Sequence, residues 1–397
     1  RLHLELAQNL HAGGVVRNVP AEVTGGVTLD RIAVDGQVLG TTGPGGRYLV
    51  DDTHLVLYPA ATVLPNSTVE IEADWSFRIP KRGAGARMGY DQDVFFLAYW
   101  YPLVAVYDDV EGWHTDAFLG QAEFYAGFGD YDVTVEAPAG WIVWGTGDLR
   151  NAGDVLAPDV LARLRRAHAS DTTVQVVGPD DFGRATAGTG GRLRWRFTAD
   201  GVRDFAFAAT RASVWEAART PVGDRDGDGV VDSAHVNTFY RPAATAWSAV
   251  TRYQQHALTF LSGLTALPYP WPHMTAVEGA GIIGGGMEYP MMTLMGAYAD
   301  PDALYAVTAH EVAHMWIPMV VGTNERRYGW LDEGMTMYNE NQAEQAFHDD
   351  GFDYDLQDQD VYLGVARRGL EGPVMRHTDY HEPGPAEVVA SYMKPSV

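Results

Sequence analysis

The stretch HEVAHMWIPMVVGTNERRYGWLDEGMTMYNE, residues 310–340, decides how the rest of the chain is read. His310 and His314 fall one turn apart on one face of a helix, so their imidazoles can converge on a single ion. The preceding PDALYAVTA, 301–309, places Pro and Asp in a first helical turn and continues in Ala and Leu, while Pro318 stops or kinks the helix just past the motif. Glu311 lies off the line of the two histidines but near the same ion, where its carboxylate can take a proton from an activated water. HExxH alone is short enough to arise by accident, so the chain must supply the remaining parts. A catalytic zinc usually has three protein ligands, and with no cysteine in the chain the third must be His, Asp or Glu. Glu333, eighteen intervening residues beyond His314, opens the next helix at a distance that suits a loop returning antiparallel to the first. Its neighbours Trp330, Leu331, Met335 and Tyr338 form an apolar face that favours a buried, paired carboxylate.

Composition narrows the classes around this motif. The chain has 397 residues, 46% of them hydrophobic, enough for two ordinary domains with sizeable cores. A formal net charge of −24 repels phosphate backbones and anionic headgroups, which excludes nucleic acid and simple membrane adsorption as partners. No apolar run reaches the ~20 residues of a membrane span. Zero cysteines rule out disulfides and thiolate-bound metal and suit either redox compartment, so extracytoplasmic and cytoplasmic locations are both compatible. Leu2, Leu4 and Leu6 alternate from the start like a strand entered part-way, and SYMKPSV ends without a helix cap. The chain therefore reads as a processed or trimmed piece of a longer protein.

The first half carries period-two alternation: Val69, Ile71, Ala73, Trp75, Phe77 and Ile79; Tyr131, Val133, Val135 and Ala137; Leu193, Trp195, Phe197 and Ala199. Such runs predict antiparallel sheets with one buried face, interrupted by one helix near 157–169. The aromatics of VFFLAYWYPLVAVY, 94–107, are expected in the core of this β region. After about Thr210 the texture changes, and 243–261, 302–317, 331–347 and 353–368 read as helices. The expected fold class is α+β, with an N-terminal antiparallel β-saddle or sandwich domain at 1–212 and a mainly helical catalytic domain at 213–397. The boundary falls within 210–235.

HEVAHMW, eighteen residues and then the Glu of WLDEG resembles the M1 aminopeptidases, gluzincins that carry HExxH, eighteen residues and a Glu within WLNEG. Asp332 stands where Asn is usual. The resemblance covers most of the chain. It implies a β-saddle domain followed by a thermolysin-like domain, and also a C-terminal helical domain that this sequence lacks almost entirely and that would be a partner of the present portion. GIIGGGMEYP, 281–290, supplies glycines that let a peptide approach the backbone and a MEY segment able to run as an edge strand. It is similar to the family's GAMEN motif, with Tyr289 in place of Asn. The resemblance implies that Glu288 holds the substrate's α-ammonium, with Gly285, Gly286 and Met287 along the peptide. SYMKPSV is similar to a SYxKG-like stretch, with Pro395 in place of Gly, which implies Tyr392 as the oxyanion-stabilising phenol. The family's first domain also lends a Gln or Glu to the amine, and Gln92 and Glu123 are the two candidates.

Two weaker features remain. DRDGDGVVD, 224–232, places Asp224, Asp226, Asp228 and Asp232 at positions one, three, five and nine of a calcium-type loop, with Gly229 at six and His235 where the bidentate Glu would be. Calcium and an acidic hairpin turn are both compatible with it. His377 and His381 could mark a second metal, but the flanking Asp and Pro favour a solvated loop.

The reading is a zinc-dependent aminopeptidase acting on peptides with a free N-terminus, with His310, His314 and Glu333 as ligands and Glu311 as base. A thermolysin-type endopeptidase and an inactive peptide-binding scaffold are the alternatives. Side-chain preference, natural substrate and oligomeric state are not legible.

Overall fold

Alternation carries the first two hundred residues into antiparallel sheets. In the computed structural model, which describes the chain apart from residues 14, 17–18, 21, 44, 82–86, 189, 280, 382–387 and 397 and the side chains of 15, 16, 19 and 20, Leu2–Glu5 lies between Leu103–Val104 and His54–Tyr58, and Arg47–Asp51 completes that sheet. Thr28–Val34 pairs with Ile71–Ser76 and Gln37–Val38 in a second sheet. Leu4, Leu6, Ile32, Val34, Leu55 and Leu57 form one buried cluster from the apolar phases of both. A long ribbon, Gly129–Pro138 against Arg192–Val202, sets Val133 opposite Phe197 and Val135 opposite Trp195. A further sheet runs Ile142–Gly145, Phe207–Thr210, Val94–Leu97, Gly89–Asp91. Phe96, Leu97, Ala98 and Tyr99 lie in its core, as expected for the aromatic stretch. The expected helical insert is Pro158–Ala167, with Pro at its first position and Arg165 and Arg166 in its last turn.

The second half contains more strand than its sequence texture predicts. A six-stranded mixed sheet runs Val174–Val177, Val214–Gly223, Asp232–Tyr240, His273–Glu278, Met292–Met295, Gly286–Tyr289. Asp232–Tyr240 and His273–Glu278 are parallel, and the helix Val250–Leu264 crosses between them. His273–Glu278 and Met292–Met295 are buried at every position, yet HMTAVE and MTLM mix polar and apolar letters over only six and four residues, too short for period-two counting to separate strand from helix. Val174–Val177 joins this sheet by pairing with Val214–Gly223, so the sheet draws strands from both sides of residue 212. Helices Pro301–Ala313, Met335–His348 and Tyr354–Ala366 complete the region.

The helix carrying the motif is fixed at its start by Asp300, whose carboxylate accepts from the backbone N–H groups of Asp302 and Ala303 at 3.1 and 2.9 Å. Leu304, Tyr305, Thr308, Ala309, Val312 and Ala313 are all buried, so the helix is clad by protein on most of its circumference and cannot rotate without losing its packing.

His273, on the central strand, is buried against the Gly147 carbonyl at 3.0 Å and Thr275 Oγ1 at 3.1 Å, and burial pushes its pKa down to about 4 despite the Gly147 bond. Below pH 6.5 the unfolded chain protonates this ring while the folded chain does not. The unfolded state therefore binds the extra proton, and stability falls as the pH drops towards 4. Urea melts at pH 6.5 and 4.5 should show the wild type losing about 2 kcal/mol more than a His273→Gln variant over that interval. An identical loss in both would mean that the ring is charged in the fold.

Candidate metal and peptide site

Three ligand atoms meet at the end of the motif helix. His310 Nε2 stands 3.1 Å from His314 Nε2 and 3.2 Å from Glu333 Oε2, and His314 Nε2 stands 3.5 Å from the same oxygen. Atoms bound tetrahedrally to zinc at about 2.0–2.2 Å are separated by about 3.3–3.6 Å, so the triangle fits a first-row ion with little adjustment. The remote ring nitrogens are already engaged. His310 Nδ1 faces Glu340 Oε2 at 2.8 Å, and His314 Nδ1 faces the Ile317 carbonyl at 3.1 Å and Thr336 Oγ1 at 3.2 Å. With Nδ1–H donating outward in each ring, both Nε2 lone pairs are left for an ion, the arrangement that orients metal-binding histidines.

Electrostatics agree with that geometry. Burial pushes the Glu333 carboxyl up, but hydrogen bonds from both histidines outweigh it and hold it well below the usual carboxylate range. Burial lowers His310, yet the Glu333 and Glu340 carboxylates outweigh it and raise the ring to about 10. A pocket that draws protons onto its histidines this strongly draws a dication in their place.

Glu333 is delivered by a π-helical turn, Trp330–Gly334, ahead of the helix Met335–His348. Tyr392, on a second π-helical turn at Val389–Met393, donates to Glu333 Oε1, and its ring stacks on His310 with centroids 5.8 Å apart. A Cβ on Gly334 would stand 2.4 Å from Pro395 Cβ and 3.2 Å from the Ser391 carbonyl, so glycine there is what lets the Tyr392 segment lie against the WLDEG turn. Glu311 points towards the edge strand Gly286–Tyr289. Thr293, on the neighbouring strand opposite Glu288, holds Glu311 Oε2 at 3.1 Å, and a Cβ on Gly286 would stand 1.9 Å from Glu311 Oε1. Burial raises the Glu311 carboxyl to about 7, against the pull of His310 and His314.

Beside the triad lies a group of acids. Carboxylate oxygens of Glu123, Glu288, Glu325 and Asp332 all fall within 4.8 Å of one another. Glu288 and Asp332 are 2% and 0% exposed, and Glu288 Oε1, Glu123 Oε2 and both Asp332 oxygens have no hydrogen-bond partner. Asp332 Oδ1 comes within 3.1 Å of His314 Nδ1, but that nitrogen is aligned on the Ile317 carbonyl, so the approach is close without being a hydrogen bond. Arg203 pairs with Glu325 at 2.5 Å and Arg87 with Glu123 at 3.4 Å. A cavity of about 300 Å³ opens here, with Arg87, Gln121, Glu123, Glu325, Asp332 and Tyr392 in its wall.

Of the two amine-binding candidates, Glu123 stands in this group, whereas Gln92 lines a separate cavity with Asp91 and Arg241. The acidic loop brings together Asp224, Asp226 and Asp232 but not Asp228, and Asp224 already accepts from the N–H groups of Gly227 and Gly229 at 2.7 and 2.8 Å. The solvated loop expected around His377 and His381 is overturned: His381 is 2% exposed and Asp379 fully buried. Asp379 accepts from the backbone of Leu119, Gln121 and Ala122 at 2.9–3.0 Å, which pins the segment leading to Glu123. Sequence reasoning missed Asp379, Thr293, Glu325 and Glu340. Only Glu340 carries a local signal, seven residues beyond Glu333 and so on the same helix face.

Residues 251–362 match the family model described as the peptidase family M1 domain. Over that stretch the chain is similar to the peptidase family M1 domain. Its 122-residue match to a leukotriene A-4 hydrolase homolog of Botryotinia fuckeliana (strain B05.10) is 29% identical and covers 29% of this chain and 17% of that protein. A 127-residue match to leucine aminopeptidase 2 of Coccidioides immitis (strain RS) is 28% identical and covers 30% and 19%. The matched segments thus span less than a fifth of either relative. The likeness in fold extends beyond residues 251–362. An M1 zinc metallopeptidase from Deinococcus radiodurans superposes with TM-score 0.54 at 14% identity over 93% of this chain and 71% of its own. Legionella pneumophila aminopeptidase A, solved with aspartic acid, gives 0.58 at 14% over 100% and 38%.

Gly334→Ala should push the Tyr392 segment off the WLDEG turn. Amide hydrogen exchange across 389–396 should accelerate at least tenfold while the motif helix keeps its protection. Unchanged exchange would mean that Pro395 has room to yield.

Proposed function

We propose that this chain forms the zinc-binding catalytic portion of an aminopeptidase that removes single residues from peptides with a free N-terminus. One observation carries the reading: a His–His–Glu triangle of zinc dimensions lies beside buried, unpartnered carboxylates that need a cation. An endopeptidase has no use for such an anchor, because the chain it cleaves has no charge at that point.

His310, His314 and Glu333 would hold the zinc, with Glu340, the Ile317 carbonyl and Thr336 orienting the imidazoles. Bound there, zinc supplies Lewis-acid chemistry, acidifying water and polarising a carbonyl. Glu311 takes the proton of the attacking water and returns it to the leaving amine. Its raised pKa and its hydrogen bond from Thr293 suit a group that must both accept and give. Tyr392 donates its phenolic hydrogen to the oxyanion. Glu288 and Glu123 hold the substrate's ammonium and so set the distance from the free end to the scissile bond. Gly285, Gly286 and Met287 present the strand edge along which the peptide lies, with Gly286 leaving room for Glu311. In this arrangement the β portion, 1–212, contributes Glu123, and the portion 213–397 contributes the triad and the base.

The zinc-loaded protein should shorten a free peptide one residue at a time, followed by mass spectrometry, and leave its N-acetylated form intact. Cleavage inside both forms would replace this reading with an endopeptidase, and silence with zinc bound would favour a binding role. Glu311→Gln should lower kcat by on the order of 10³ while one zinc per chain remains by elemental analysis. Near-full turnover in that variant would remove Glu311 from the role of base.

A further inference from the structure

The acids beside the triad carry more negative charge than a substrate ammonium can balance. Glu123, Glu288, Glu325 and Asp332 bring four carboxylates into one sphere, and Arg87 and Arg203 answer two of them. An ammonium answers a third. The fourth faces only the His314 ring, 3.1 Å from Asp332 Oδ1, and that ring is neutral once its Nε2 is given to a metal; Asp332 is fully buried and both its oxygens lack a hydrogen-bond partner. A buried carboxylate in that state is costly unless a cation meets it.

We infer that Glu123, Glu288, Glu325 and Asp332 form a second cation site that takes a hard divalent ion, for which Ca²⁺ is the probe. The inference rests on the ammonium anchor proposed above, whose carboxylates it shares. All four donors are oxygens, which select hard cations over the softer ions held by imidazole. Two uncompensated charges match a dication. The cavity of about 300 Å³ with Glu123, Glu325 and Asp332 in its wall gives the ion its entry and room for the waters that complete its coordination.

The consequence is competition. An ion between Glu288 and Glu123 occupies the place of the substrate's ammonium, so Ca²⁺ raises KM and leaves kcat unchanged, while substrate expels Ca²⁺. The Asp224 loop could also bind calcium but lies outside this exchange, and it serves as the control.

Calcium chloride titrated calorimetrically into the zinc-loaded protein should reveal a site that disappears in saturating leucinamide and weakens about tenfold or more in Asp332→Asn. Asp224→Asn should leave that site intact. Glu288→Gln provides the second variant should Asp332→Asn misfold by circular dichroism. No bound calcium, or isotherms unaffected by both Asp332→Asn and Glu288→Gln, would overturn the inference. Calcium lost in those variants but indifferent to leucinamide would uphold the ion site and sink the ammonium anchor. Calcium displaced by leucinamide in a protein that hydrolyses nothing would uphold the site and sink the aminopeptidase reading.

Discussion

Buried negative charge is the constraint around which this molecule is arranged. Glu123, Glu288, Glu311, Glu325, Asp332 and Glu333 crowd the end of one helix, and most of them are withdrawn from water. Ionised carboxylates survive in such a place only with partners, and a polypeptide has few ways to bring cations to one point. Here the partners come from distant stretches of sequence: two imidazoles from the motif helix, Arg87 from the β region and Arg203 from just past the long ribbon. Arg203 also donates to the carbonyls of Ala126, Pro318 and Thr323 at 3.0–3.2 Å. One guanidinium thus neutralises Glu325 and ties the β region to the loop that follows the motif helix.

Rigid elements turn that charge into a site. The motif helix is capped by Asp300 and packed on most of its circumference, which fixes the two imidazoles relative to each other. The π-helical turn Trp330–Gly334 lets consecutive acids take different tasks. Asp332 approaches the Nδ1 side of His314, and Glu333 approaches its Nε2 side. The edge strand adds Glu288, and its partner strand adds Thr293 directly across from it. Glu311 lies in the space that Gly286 leaves open. In its proposed role as base, a Glu311 held by one hydrogen bond and hemmed by backbone would be oriented before a substrate arrives and would not reorganise during the reaction.

Much of this was legible in sequence. The i, i+4 histidines, the interposed Glu311 and the Glu333 that follows after eighteen residues are local or nearly local patterns, and helix geometry makes them converge. The alternating runs of the first half became sheets because one apolar face per strand must be buried. The six-stranded sheet of the second half was not legible. Its central strands are short and buried on both faces, with polar letters such as His273, Thr275 and Thr293 inside the core, so local pattern does not mark them. Asp379 was misread as solvated because nothing nearby in sequence shows that it receives three backbone N–H groups from residues 119–122. The choice between Gln92 and Glu123 was equally beyond local pattern, since both lie in the β region and only the fold brings one of them to Glu288.

The sequence by itself singled out His310, His314, Glu311 and Glu333 as one candidate site and set a β-rich region ahead of it, because these follow from period and spacing along one chain. The tertiary structure alone decided which acids share the neighbourhood of that triad. Glu123, Glu325 and Asp332 are ordinary acidic letters in an acidic chain. They become a cation-seeking group only when three segments fold to within a few ångströms and lose their water, since a carboxylate's chemistry depends on its solvation and its neighbours as much as on its own atoms.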